Sequence, residues 1–192
     1  MAIRTPGLSG TMLPAVRDEA TLHRALDLGY RQLLVERGSL LVMVGPLAAA
    51  ARRGIAIFVN LDGVEGLAPD SAALAFVATD LGLSGVVSVK PHVLKEASRF
   101  RLRTIQRIHA LDSTGLETGL RSLATPMPQA LAIAPALALP HVAPTVRTMT
   151  SSPLWGTGDV TTSAQAHQVL AAGAEVVSSA RPEIWEDFQP PY

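Results

Sequence analysis

Two rhythms of apolar residues alternate along the chain. Short, nearly unbroken apolar runs ("TMLPAV", "RQLLVE", "IAIFVNLD", "SGVVSVK", "LRTIQRIHALD", "ALAIAP", "PLWGTG" and "EVVSSA") are separated by segments whose apolar positions recur at helical spacing. The first rhythm belongs to strands covered on both faces, the second to helices with one buried side. Capping residues agree with this division. Asp18 stands ready to cap "DEATLHRALDLG", which Gly29 closes, and Asp70 or Ser71 opens "PDSAALAFVATDLG" ahead of Gly82. Pro91 begins "PHVLKEASRF", and a Thr cap precedes "SAQAHQVLAAGA". "GSLLVMVGPLAAAARRG" and "STGLETGLRSL" also read as helices, the first with Pro46 near its start or at a kink. "ALALPHVAPTVRTM" is only ambiguously helical because of its prolines, and "RPEIWEDF" begins a terminal helix.

Strand then helix, repeated, requires parallel strands joined by crossovers, because parallel neighbours cannot be linked by tight turns. Eight such units predict a compact (β/α)8 barrel of parallel strands, one domain over residues 1–192. About 250 residues is usual for that fold, so loops and helices are expected to be short. The competing architecture, a doubly wound open sheet, normally needs fewer strands.

The fifth run departs from this apolar background. "TIQRIHALDS" carries Gln106, Arg107, His109 and Asp112, all costly to bury without partners. In barrels and open sheets alike, ligands bind beyond the carboxyl ends of the strands. Polar groups collect at those ends: Arg17 after the first strand, Asn60, Asp62 and Glu65 after the third, Ser88 and Lys90 after the fourth. Arg107, His109, Asp112 and Ser113 follow on the fifth, with Glu117 a turn further on. Gly156, Thr157 and Gly158 end the seventh, Ser178 and Ser179 the eighth, while the opposite ends are mostly Gly, Ala and Leu. The polar string therefore marks a mouth. Glycines that let backbone N–H groups approach an anion, followed by a helix N-terminus, make the last two ends a candidate phosphate site. Plainer roles compete: Asp112 as a helix cap, Asp62 as a turn former, Lys90 as a solvated cation and His109 as a satisfied histidine.

Composition narrows the classes. With 48% hydrophobic and 17% charged residues the chain is outside the disordered class. The absence of cysteine excludes disulfides, thiol chemistry and Cys-based zinc sites. No apolar run is long enough, or free enough of proline, to span a bilayer, and the first residues lack a signal layout, so a cytoplasmic protein without membrane association is expected. Net charge is zero and aromatics are 4%, which leaves little for stacking bases. The one basic cluster, Arg99, Arg101 and Arg103 near Arg107, reads either as a solvated helix end or as a phosphate-contacting patch for RNA.

The blocks "LDGVEGL", "TIQRIHALDSTGLETG" and "AGAEVVSSARPEIW" resemble the glycerol-3-phosphate-responsive antiterminator family, and the similarity runs from about Thr11 to Trp185. The family's motif positions fall on Asp62, Glu65 to Leu67, Thr104 to Arg107, Asp112, Ser113, Leu116 and Glu117. The resemblance implies a (β/α)8 barrel that binds glycerol 3-phosphate and then an mRNA leader, preventing transcription termination, with no cofactor. There are departures. Thr157-Gly158 stands where the family has a Gly-Gly pair, and Ala132 and Pro135-Ala136 where it has a Glu and a Pro-Gly. They leave room for a different phosphorylated effector.

The expectation is thus a regulator. Gly156, Thr157, Gly158, Ser178 and Ser179 would hold the phosphate, Arg17, Lys90 or Arg107 would supply charge, and Asp62, Glu65 or Asp112 would accept from hydroxyls. RNA would be gripped by Arg99, Arg101 and Arg103 or across a homodimer. The alternative is an isomerase- or aldolase-type barrel enzyme on a small phosphorylated metabolite, using Lys90, His109 and the carboxylates, with or without Mg²⁺ on Asp62, Glu65 and Asp112. No catalytic signature distinguishes it, and no metal or catalytic residue is assigned.

Overall fold

The computed structural model describes residues 10–188. Its eight strands are β1 (Thr11–Val16), β2 (Gln32–Val35), β3 (Ala56–Asn60), β4 (Gly85–Ser88), β5 (Arg103–His109), β6 (Ala130–Ala134), β7 (Leu154–Gly156) and β8 (Val176–Ser179). Each pairs in parallel with its successor and β8 returns to β1, closing the barrel. The crossovers are α1 (Glu19–Asp27), α2 (Leu40–Arg52), α3 (Ser71–Ala75, running into a π-turn at Phe76–Asp80), α4 (Pro91–Arg99), α5 (Ser113–Arg121), α6 (Leu139–Met149) and α7 (Ser163–Ala171). A short α8 (Pro182–Trp185) follows β8. The ambiguous proline-rich segment is helical: Pro140 sits in the first turn of α6, where a missing N–H costs nothing, and Pro144 is accommodated further along. Gly38–Ser39, expected as helix, instead pairs in parallel with Val64–Glu65 beyond the ends of β2 and β3.

Side chains alternate between the barrel axis and the helical layer. Leu13, Leu34, Phe58, Val87, Ile105, Ala132, Trp155 and Val176 fill the axis, with Phe58 and Trp155 edge to face at 5.1 Å. The strand residues between them point outward into a larger apolar layer shared with the helices. Layers of bulky residues make the barrel a packed core, so the molecule can only offer a site at its ends. At the end holding the strand N-termini, the Arg103 guanidinium lies over the Phe58 ring, 5.1 Å from its centroid, and burial pulls its pKa below the usual value. The seam between β1 and β8 is closed by Trp185, whose Nε1 donates to Ser179 O at 2.9 Å. Tyr30 Oη lies 2.8 Å from both Trp185 O and Phe188 O, which share its one proton.

Candidate functional site at the barrel mouth

At the carboxyl ends of the strands the axial series turns from apolar to polar. Arg107 stands one step above Ile105 on β5, Thr157 above Trp155 on β7 and Ser178 above Val176 on β8. Arg107 reaches across the mouth to Glu36, which follows β2. Nη1 donates to Oε1 at 2.9 Å and Nη2 to Oε2 at 2.8 Å, a two-pronged ion pair with side chains only 9% and 19% exposed. Ala132, level with Arg107 on the neighbouring strand, is wholly buried on the axis. Ala132 therefore leaves no gap at the mouth, and Glu36 is the carboxylate that Arg107 engages.

Glu36 is fixed from several sides. Asn60 Nδ2 donates to its backbone O at 3.1 Å and to Oε1 at 3.2 Å. Gly63 lies so close that a Cβ would meet Glu36 O at 2.5 Å and Asn60 Nδ2 at 2.7 Å, which accounts for glycine there. Asp62 is spent on structure: Oδ2 accepts from Val89 N at 2.7 Å and Oδ1 from Ser88 Oγ at 3.2 Å, tying the β3 loop to the end of β4. Lys90 Nζ stands 3.7 Å from Asp62 Oδ1 with its side chain 44% exposed.

Two hollows open at this face and meet at Glu36 and Arg37, which line both. The first, about 300 Å³, lies between the ends of β7, β8, β1 and β2, with Arg17, Arg37, Arg181, Gly158 and Ser178 in its wall. Among the described residues none of these three arginines has a carboxylate partner. Two acidic groups share the wall, Asp159 and Glu36, and the charge of Glu36 is already balanced by Arg107. Gly158 adopts φ +81°, and a Cβ there would meet nothing within 4 Å, so its backbone is open to the hollow. The second hollow, about 410 Å³, is walled by Asn60, Asp62, Glu65, Arg107 and His109.

The structure thus brings Arg17, Gly158 and Ser178 together and separates others from them. Gly156 does not face the hollow: a Cβ would strike Val169 Cγ1 at 2.3 Å, so its smallness serves the packing of α7. Thr157 is buried, with its N–H bonded to Ile133 O at 2.9 Å. Ser179 lines the hollow, but its Oγ donates to Val160 O at 2.7 Å and accepts from Arg181 N at 3.1 Å, which shapes the loop. Asp112 is the N-cap of α5, accepting from Gly115 N at 2.7 Å, and Glu117 pairs with Arg121 on the surface. Gln106 points outward and bonds Ala124 N and Ser122 O. Arg99 pairs with Glu96, and Arg103 is taken into the axis, so the basic cluster forms no continuous patch with Arg107. Glu36, Arg37 and Arg181 were missed because each reads locally as an ordinary charge after a strand. Only the repeated position, just past a strand's carboxyl end, signals them.

Among the described residues no helix is long and apolar enough to cross a membrane, and no cluster of His, Asp and Glu could hold a metal ion. No curated protein matches the sequence. Solved structures do. The glycerol uptake operon antiterminator regulatory protein of Listeria monocytogenes superposes with TM-score 0.82 at 22% identity, over 92% of this chain and 95% of that one. A glycerol uptake operon antiterminator-related protein of Thermotoga maritima gives 0.75 at 21%, over 93% and 98%. The barrel is shared with enzymes too: deoxyribose phosphate aldolase of Aeropyrum pernix gives 0.63 at 12% identity, over 94% and 89%. These likenesses are to the fold. The sequence itself, over residues 12–185, matches the model of one family, and the chain belongs to the glycerol-3-phosphate responsive antiterminator family.

Proposed function

We propose that this protein is a cytoplasmic regulator of glycerol-uptake genes that binds glycerol 3-phosphate at the barrel mouth and an mRNA leader elsewhere on its surface. The observation that carries the reading is the first hollow: Arg17, Arg37 and Arg181, without carboxylate partners among the described residues, beside an open Gly158 backbone and the Ser178 hydroxyl. Charges without partners around a concave wall favour an anion. The N-terminus of α7, which follows the Gly158 loop, adds positive potential on the same side. A phosphate monoester matches this wall in charge, and glycerol 3-phosphate matches it in family.

The RNA surface in this reading is the opposite end of the barrel, where the helices finish. Arg31, Arg52, Arg53, Arg101 and Arg147 are exposed there and lack ion-pair partners among the described residues, against Asp27, Asp80 and Glu175. Arg31 and Arg53 are neighbours, with Arg31 Nη2 donating to Arg53 O at 3.3 Å. Such a surface contacts phosphates and leaves sequence reading to shape and to a few bases. An enzyme of aldolase type has less support. Lys90 lines neither hollow and is only half-buried, beside Asp62, whereas a Schiff-base lysine needs a site screened from water.

The test is a calorimetric titration with glycerol 3-phosphate, with glycerol as control, followed by a leader-RNA gel shift at fixed salt. Saturable binding of the phosphate, none of glycerol, and an RNA shift that the phosphate enhances are the expected results, because an effector moves an equilibrium only through a difference in affinity between two states. No heat at millimolar glycerol 3-phosphate overturns the effector. An RNA shift unaffected by Arg31→Glu and Arg53→Glu together overturns the RNA surface.

A further inference from the structure

The two hollows differ in chemistry and meet at Glu36 and Arg37. The first wall carries Arg17, Arg37 and Arg181, and the second sets the carboxylates of Asp62 and Glu65, the Asn60 amide and the His109 imidazole beside Arg37 and Arg107. Glu36 stands at the junction and lines both. Its protein partners are shared unevenly between its two oxygens. Oε1 accepts two bonds, from Arg107 Nη1 at 2.9 Å and Asn60 Nδ2 at 3.2 Å, whereas Oε2 accepts only Arg107 Nη2 at 2.8 Å. Each carboxylate oxygen offers two lone pairs, so Oε2 has one that no protein donor among the described residues takes. The carboxylate is held in place by Arg107 and Asn60, while Asn60 also anchors the Glu36 backbone carbonyl.

From this we infer that Glu36 is the specificity-determining residue of the mouth, accepting a hydrogen bond from a ligand hydroxyl next to the phosphate-bearing carbon. Arg107 is then a positioning residue and does not grip phosphate. Its guanidinium turns one N–H of each terminal nitrogen to Glu36, its Nε is buried with no partner among the described residues, and it lines the second hollow but not the first. The inference rests on the phosphate reading of the first hollow and makes it narrower. The ligand class is a phosphate monoester of a polyol, with its anionic end among Arg17, Arg37 and Arg181 and its hydroxylated end passing Glu36 toward Asn60 and His109. A simple alkyl phosphate satisfies the cationic wall but brings no hydroxyl to the Oε2 lone pair. Inorganic phosphate satisfies the wall alone.

The discriminating measurement is a ratio of affinities. Glycerol 3-phosphate, propyl phosphate and inorganic phosphate are titrated into the wild-type chain, Glu36→Gln, and the paired variant Glu36→Leu with Arg107→Leu. The pair is included because Glu36→Gln strands a buried guanidinium charge and can weaken the fold, whereas removing both charges does not. A hydrogen bond to a charged acceptor predicts that wild type prefers glycerol 3-phosphate over propyl phosphate by about tenfold to a hundredfold. In the paired variant that ratio collapses toward unity. A paired variant that keeps the full preference overturns the inference, because the hydroxyl is then read elsewhere. Phosphate binding by wild type without any preference also overturns it while leaving the anion hollow standing. Failure of all three ligands to bind removes the phosphate reading, and the inference with it.

Discussion

Removing Glu36 or Arg107 alone should damage the fold far more than removing both. The two side chains are 9% and 19% exposed and share two charge-assisted bonds of 2.8 and 2.9 Å. Glu36→Leu leaves a guanidinium buried with no counter-charge, and Arg107→Leu leaves a carboxylate in the same position. Breaking such a pair from one side costs about 3–5 kcal/mol, whereas replacing both partners with apolar groups of similar volume is often neutral. For a chain of this length, about 3 kcal/mol lowers the melting temperature by roughly 6–12 °C. Urea unfolding of the wild type, the two single variants and the paired variant forms a double-mutant cycle. We expect each single variant to lose about 3 kcal/mol or more, and the pair to recover most of that loss, a coupling of several kcal/mol. Single losses below about 1 kcal/mol that simply add in the pair would refute the reasoning, because they belong to a solvated, screened contact.

Other expectations follow from the same geometry. Gly156→Ala drives a Cβ into Val169 Cγ1 at 2.3 Å and should destabilise by about 1–3 kcal/mol in a urea titration, the cost of overpacking. Asp112→Ala removes the cap on Gly115 N and should cost about 1 kcal/mol while leaving the affinity for glycerol 3-phosphate unchanged by calorimetry. Burial raises the Tyr30 hydroxyl from 10.0 to about 12. A raised pKa means that its contribution to stability is complete below pH 10 and is lost as pH climbs toward 12. Urea midpoints measured from pH 9 to 11.5 should therefore fall more steeply for wild type than for Tyr30→Phe. That variant also gives up the bonds to Trp185 O and Phe188 O, at about 1–2 kcal/mol at neutral pH.

The barrel was legible because its signals are local. Alternating apolar runs and caps such as Asp18, Asp70 and Asp112 placed the strand–helix units, and the caps accept the expected backbone bonds, from Thr21 N, Ala73 N and Gly115 N. The polar string at Thr104 to Arg107 was legible as well, but its internal division of labour was not. Gln106 and Arg107 are chain neighbours on opposite faces of β5, one bonded to the turn after α5 and the other 71 residues away to Glu36. Glu36 carries no local mark, because it is one charged residue after an apolar run, and only closure of the barrel brings it to Arg107. The glycines after β7 show the reverse case. Gly156 and Gly158 look alike in sequence, yet one is small to admit α7 and the other is open to the mouth at φ +81°. Which face of a strand end a residue occupies depends on the register of the whole sheet, and a linear pattern does not record it.

The most direct measurement of the central claim is a crystal structure of the protein grown with glycerol 3-phosphate. The account predicts phosphate density in the hollow bounded by Gly158, Ser178, Arg17, Arg37 and Arg181, with the glycerol hydroxyls turned toward Glu36. A phosphate seated beside Asp62 and His109, or bound away from the mouth altogether, would contradict it.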